Sequence, residues 1–119
     1  MGLRILIAED DALIAMELEA IAEAEGHRVC GCASTGPEAV ALARECRPDV
    51  VLMDGFLAEG TSGVFAAAVI TGALRIPVIM VSAHLDAQTA RDAGATALVP
   101  KPFRRTDIGR VLRDAGPTG

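Results

Sequence analysis

The sequence predicts an α/β fold in which a doubly wound, five-stranded parallel sheet is flanked by helices on both faces. Five short, apolar segments alternate along the chain with five segments of helical character. The apolar segments lack the in-out alternation of strands that expose one face to water, which indicates burial on both faces. A three-layer sandwich follows from these two observations.

The first strand and helix occupy the first 25 residues. Residues 4–8 are a short apolar strand. Asp10 or Asp11 then supplies an N-cap for a helix over residues 12–25, in which apolar residues recur at helical spacing. The sequence therefore predicts one strand–helix unit, with acidic residues at its turn.

The second unit is a weaker strand at residues 28–33 and a helix from residue 36 to about residue 45. Pro37 suits the first turn of that helix because its missing N–H would have no helical partner there. Pro48 follows the helix and stops it.

The most hydrophobic strand candidate is residues 50–53. A glycine-rich loop at residues 55–63 separates it from an alanine-rich helix over about residues 64–73. Pro77 then introduces a fourth strand at residues 78–81. This part of the chain repeats the strand–helix order of the first two units.

A short helix at about residues 86–93, closed by Gly94, follows the fourth strand. The fifth strand is predicted at residues 96–99 and the last helix at residues 106–114. The length of 119 residues fits one folded domain. We expect residues 1–115 to form it and residues 116–119 to be a frayed tail.

The composition excludes several functions. A net charge of -5 gives no basic footprint for direct binding of nucleic acid. No apolar run approaches the roughly 20 residues that span a bilayer, so we expect no insertion into a membrane. Aromatic residues make up only 3% of the chain. The core must therefore be built from aliphatic side chains.

The three cysteines indicate a reducing environment. Their number is odd, and no signal peptide precedes the first strand, so a cytoplasmic location is expected. Cys30, Cys32 and Cys46 match neither a CxxC redox motif nor a zinc site. The sequence favours buried structural thiols.

Charged residues follow three of the predicted strands. Glu9 and Asp10 follow the first, Asp54 follows the third, and Lys101 comes after the fifth. The carboxyl ends of parallel strands share one edge of a sheet, so these groups are expected in one site. Clustered carboxylates with one lysine suit a divalent cation and a phosphoryl group.

These residues give the chain a resemblance to a known family. Besides Glu9, Asp10 and Asp54, the chain carries Ser82 in Met80-Val81-Ser82-Ala83 and Lys101 in Val99-Pro100-Lys101-Pro102-Phe103. In the type and order of these residues, the chain resembles the receiver domain of two-component response regulators, of the stand-alone type. The resemblance spans nearly the whole chain. It implies a flavodoxin-like sandwich with strand order 2-1-3-4-5.

The resemblance also implies the chemistry. Asp54 would accept a phosphoryl group from a phosphohistidine of a sensor histidine kinase or a histidine phosphotransfer protein. Mg²⁺ would be held by Glu9, Asp10, Asp54 and the backbone carbonyl of Phe56. Ser82 and Lys101 would bind the phosphoryl group and start the switch. Such a protein signals through protein contacts and catalyses only its own phosphorylation and dephosphorylation.

The sequence departs from the family on the output side. Leu98 stands where receivers often carry an aromatic residue, and the stretch between Ser82 and Gly94 is about one helical turn short. A homodimer through the fourth and fifth helices is left undecided. For Ser82, an N-cap of the fourth helix is a competing role.

Three other functions compete with phosphoryl signalling, the weakest being a flavodoxin-like cofactor binder, because no glycine-rich phosphate loop follows the first strand. The chain could be a docking receiver that works without phosphorylation. A Mg²⁺-dependent phosphatase with an aspartyl-phosphate intermediate is less favoured, because Phe56 stands where such enzymes place a second acid.

Overall fold

The computed structural model describes residues 2–115, so the predicted tail at residues 116–119 lies outside the described residues. Five parallel strands form one sheet in the order β2-β1-β3-β4-β5, which confirms the predicted topology. The strands are β1 (Arg4–Ala8), β2 (Arg28–Ala33), β3 (Val50–Met53), β4 (Val78–Ser82) and β5 (Ala97–Pro100).

The central strands are apolar because both of their faces are covered. Every residue of β3 and of β4 is buried, and in β1 only Arg4 is exposed. A strand with helices on both sides has no face for polar side chains. Continuous apolar runs therefore mark the middle of this sheet.

Five helices cover the two faces: α1 (Ala12–Ala24), α2 (Gly36–Cys46), α3 (Gly63–Ala73), α4 (Ala87–Asp92) and α5 (Arg105–Ala115). Leu18 of α1 and Leu112 of α5 belong to the apolar cluster on one face. Ala43 of α2, Ile70 of α3 and Ala90 of α4 belong to the cluster on the other. The predicted three-layer sandwich is confirmed.

Local capping explains where the helices begin. Asp11 is the N-cap of α1, because its carboxylate accepts the N–H groups of Leu13 and Ile14. Asp10 is thereby left for another role. Asp86 caps α4, and Ser82 instead ends β4. The N-cap interpretation of Ser82 is therefore wrong, and α4 is as short as the sequence indicated.

No helix of residues 2–115 combines the length and the hydrophobicity that a membrane crossing requires.

One close approach fixes the start of α3. A Cβ atom built on Gly63 would lie 1.7 Å from the backbone oxygen of Asp54. The Gly63 N–H donates a hydrogen bond to the backbone oxygen of Gly55 at 3.0 Å. Only glycine allows this approach, so α3 is anchored directly against the chain that leaves β3.

Replacing Gly63 with alanine should lower the free energy of unfolding by about 1–3 kcal/mol, because the new methyl group overlaps the backbone of Asp54. Gly72 lies in the same helix and is the matched control, since a Cβ atom there meets nothing within 4 Å. Gly72→Ala should raise stability by up to about 1 kcal/mol. Urea unfolding of the two variants measures both effects. Equal stability of the two would contradict the close approach.

Candidate functional site

Asp54 directly follows β3 and is held at the carboxyl edge of the sheet. Its backbone N–H donates to the oxygen of Ala8 at 2.9 Å, which continues the pairing of β3 with β1. Its side-chain Oδ1 accepts the N–H of Phe56 at 3.2 Å. The residue is only 8% exposed. The carboxylate is thus oriented by the backbone on one oxygen and presents the other to its neighbours.

Lys101 joins the two buried carboxylates of this edge. Its Nζ donates to Oε1 of Glu9 at 2.5 Å and to Oδ2 of Asp54 at 2.9 Å. Lys101 is the only lysine among the 119 residues. It follows β5, and its backbone N–H donates to the oxygen of Ser82 at 3.2 Å. The structure therefore brings Glu9, Asp54 and Lys101 together, as the sequence predicts.

On the pKa of Glu9 and on that of Lys101, burial and the bond between the two groups act in opposite senses. Burial raises the pKa of Glu9, and the charge of Asp54 adds to the effect, while the hydrogen bond from Lys101 opposes it. Burial opposes the charge of Lys101, yet its bonds to Glu9 and Asp54 outweigh burial and raise its pKa. Lys101 is therefore charged throughout the physiological range. Because folding raises the pKa of Glu9, the protonated form of Glu9 favours the folded protein. This contribution to the free energy of unfolding is full below the ordinary pKa of glutamate and is lost as the pH rises through the raised value.

Three carboxylates are arranged as a cation site. Glu9, Asp10 and Asp54 each place one oxygen within 4.8 Å of the others. Among residues 2–115, the Asp10 carboxylate makes no hydrogen bond or ion pair that would hold it elsewhere. Hard oxygen ligands are those that Mg²⁺ prefers, and a cation that keeps several waters fits a set of three. The donor set fits magnesium.

Ser82 is a buried hydroxyl without a partner. It is 1% exposed, and among the described residues its Oγ makes no hydrogen bond. A Cβ atom built on Gly55 would lie 3.3 Å from this oxygen, so the hydroxyl faces the backbone just after Asp54. An unpaired buried hydroxyl costs about 1–3 kcal/mol. The hydroxyl is therefore available to a group that lies beside Gly55.

Phe56 and Leu98 are the two remaining positions that the sequence singled out. Phe56 lies in the loop after β3 with a 58% exposed side chain, and the role of its carbonyl as a metal ligand stays a prediction. Leu98 is half-buried in β5 and pairs with Met80 of β4. An aliphatic side chain thus occupies the position noted as a departure from the family.

Thr61 is a residue of the loop that sequence reasoning missed. Its Oγ1 donates to the oxygen of Ala58 at 2.7 Å and accepts the N–H of Gly36 at 3.0 Å. These bonds tie the start of α2 to the loop that follows Asp54. A hydroxyl in a glycine-rich loop carries no sequence signal for such a long-range contact.

Comparison with known proteins decides the family. The family described as the response regulator receiver domain matches residues 5–113. The chain is a response regulator receiver domain. Receiver domains are signalling modules of two-component systems.

Relatives and solved structures agree with this assignment. The receiver is 39% identical over 117 residues to the phyllosphere-induced regulator PhyR of Methylorubrum extorquens, covering 97% of the chain. It is 40% identical over 108 residues to the transcriptional regulatory protein PdtaR of Mycobacterium tuberculosis, covering 88%. The chain spans 44% and 52% of these two relatives. It therefore matches about half of each curated relative.

The fold is also that of a solved receiver. The solution structure of the PhyR receiver domain of Erythrobacter litoralis superposes with a TM-score of 0.85 at 33% identity, covering 99% of this chain and 96% of that one. The signal receiver domain of a modulated diguanylate cyclase from Desulfovibrio desulfuricans G20 gives a TM-score of 0.87 at 30% identity, covering 97% and 94%. Both matches extend over nearly the whole of each chain.

Replacing Ser82 with alanine should leave the free energy of unfolding unchanged or raise it by up to about 1 kcal/mol, because an unpaired buried hydroxyl is removed. Ser62→Ala is the matched control. Ser62 caps α3 by accepting the N–H of Phe65 at 3.0 Å, and its loss should lower stability by about 1 kcal/mol. Thermal or urea unfolding compares the two. A clear loss of stability in Ser82→Ala would mean that the hydroxyl already has a partner.

Proposed function

We propose that this receiver accepts a phosphoryl group onto Asp54 from the phosphohistidine of a sensor histidine kinase or a histidine phosphotransfer protein. The observation that carries the proposal is the Asp54 carboxylate, which is bonded to the ammonium group of Lys101 and lies within 4.8 Å of the carboxylates of Glu9 and Asp10. A nucleophile, a counter-charge and a candidate cation site are thus adjacent.

Asp54 is the nucleophile in this proposal. One of its oxygens attacks phosphorus, the P–N bond to the donor histidine breaks, and the electron pair leaves with the imidazole. The product is an aspartyl phosphate. Asp54 is oriented for this by the N–H of Phe56 and is only slightly exposed, so few waters compete for its oxygens.

Glu9, Asp10 and Asp54 would hold Mg²⁺, with the carbonyl of Phe56 as a further ligand. When bound, the ion supplies positive charge that offsets the repulsion between a carboxylate and phosphoryl oxygens. Lys101 supplies a second positive charge, because its ammonium group is bonded to both Asp54 and Glu9. Its flexible stem allows the ammonium group to leave the carboxylate and follow the phosphoryl oxygens.

Ser82 is the residue that would read the modification. A phosphoryl group adds about -1.5 to -2 charge and three strong acceptors beside a hydroxyl that now has none. Ser82 ends β4, and the chain after it leads into the short helix α4. A new bond at Ser82 would favour one arrangement of that segment over another. With Leu98 in β5, the response would proceed without an aromatic side chain.

The output of residues 1–115 would be a contact with another protein. The net charge of -5 offers nucleic acid no basic surface, so any effect on transcription would act through a partner. A cytoplasmic location fits such a module. The short α4 and Leu98 also support the alternative of a receiver that docks without phosphorylation. Dimerisation through α4 and α5 stays an open alternative.

Incubation with acetyl phosphate and Mg²⁺ should add one phosphoryl group to the wild-type protein, because the site supplies its own nucleophile and counter-charges. Intact-mass spectrometry measures the gain, and hydroxylamine should remove it. Chelation of Mg²⁺ should abolish most of the labelling, since Asp54 would then face the donor with Lys101 alone.

Asp54→Asn should abolish labelling while the protein stays folded. Asp49→Asn is the matched control, because Asp49 precedes the same strand at its other end and its Oδ2 accepts the N–H of Arg4. That variant should label normally. Labelling that persists in Asp54→Asn would overturn the acceptor assignment. No labelling of the wild type by acetyl phosphate or by phosphohistidine donors would favour the docking alternative.

A further inference from the structure

Two thiols lie next to each other at the edge of the sheet, away from the phosphoryl site. Cys30 belongs to β2, and Cys46 is the last residue of α2. The Sγ of Cys46 donates a hydrogen bond to the backbone oxygen of Cys30 at 3.6 Å. Both are free thiols and both are partly exposed, which corrects the expectation of buried thiols.

An irregularity of β2 shapes the space between them. Ile5 of β1 pairs with Val29 and Leu6 pairs with Gly31, so Cys30 is left without a partner in the pairing. A Cβ atom built on Gly31 would lie 3.9 Å from the Sγ of Cys46. Because Gly31 has no side chain, no side-chain atom of that residue packs against the Cys46 sulfur. β2 is also an edge strand, where backbone adjustment is easiest.

The third cysteine lies on the other side of β2. Cys32 is exposed, and burial and the charge of Glu19 raise the pKa of its thiol. Glu19 belongs to α1, which covers the face of the sheet opposite α2. Cys32 is therefore on the same strand as Cys30 but lies near Glu19 of α1 and not near Cys46.

The surroundings of Cys30 suit a thiol–disulfide pair better than a metal site. Burial raises the pKa of Cys30, and the neighbouring Cys46 thiol adds to this, while the guanidinium of Arg4 acts in the opposite sense. A guanidinium beside the sulfur disfavours a metal cation. At neutral pH Cys30 is protonated, so it reacts slowly and more quickly as the pH rises.

We propose that Cys30 and Cys46 are a reversible redox pair that a peroxide oxidises to an intramolecular disulfide. A thiolate attacks one peroxide oxygen, the O–O bond breaks, and the second oxygen leaves as water after taking a proton. The sulfenic acid formed is attacked by the other sulfur. The S–S bond forms, the S–O bond breaks, and a second water leaves. Two thiols lose two hydrogens, and hydrogen peroxide becomes two waters.

The disulfide would tie the end of α2 to the edge strand. The other end of α2 contacts the loop that follows Asp54, where the N–H of Gly36 donates to Thr61. Cys46 is ten residues further along the chain, at the C-terminal end of α2. The redox pair is therefore separate from Asp54, and its test does not depend on phosphoryl transfer.

The experiment treats the purified protein with hydrogen peroxide at a dose that leaves its four methionines unoxidised. Remaining thiols are alkylated with N-ethylmaleimide and the intact mass is measured. We expect the wild-type monomer to lose two of its three alkylatable thiols and to regain them after reduction with dithiothreitol. Tryptic mapping should then show Cys46 linked to the peptide over residues 29–44.

Cys32→Ser is the matched control, because trypsin leaves Cys30 and Cys32 on one peptide. This variant should still lose both remaining thiols, whereas Cys30→Ser and Cys46→Ser should form no intramolecular disulfide. The proposal is overturned by a disulfide through Cys32, by a disulfide between two chains, by sulfinic acid without a disulfide, or by three thiols that stay reactive. If a serine variant does not fold, fragmentation of the cross-linked wild-type peptide between Cys30 and Cys32 assigns the disulfide to one of them.

Discussion

The buried carboxylates of Glu9 and Asp54 share one counter-charge, the ammonium group of Lys101. Two carboxylates so close together would repel each other, and burial makes the repulsion stronger. Removal of one member of such a buried set leaves a charge without compensation. The carboxyl edge of the sheet is therefore organised around the two hydrogen bonds of one lysine.

The strand order makes this arrangement possible. β1 and β3 are neighbours, so Glu9 and Asp54 leave the sheet side by side, while β5 is separated from β3 by β4. Lys101 must reach across the end of β4, where Ser82 lies with its unpaired hydroxyl. The same topology that delivers the counter-charge thus places a hydroxyl beside Gly55, the residue after Asp54. The close approach of Gly63 holds the start of α3 against the backbone of Asp54.

Much of this could be predicted from the sequence, because strands buried on both faces leave continuous apolar runs. The ranges predicted for β1, β2 and β3 are those observed. Glu9, Asp54 and Lys101 could be placed together because the ends of parallel strands converge. Long-range contacts could not be predicted. Neither the choice of Asp11 over Asp10 as a cap nor the contacts of Thr61 leaves a sequence pattern. The exposure of the thiols depends on β2 being an edge strand, which no local signal shows.

The most direct test of the account is the NMR signal of the Lys101 ammonium group in protein made with nitrogen-15 lysine. The chain has a single lysine, so the Nζ spectrum contains one resonance. We expect slowly exchanging ammonium protons near neutral pH and a pKa above the ordinary value, with both properties weakened in Glu9→Gln and in Asp54→Asn. Rapid exchange and an ordinary pKa, unchanged in the two variants, would contradict the shared counter-charge on which the site is built.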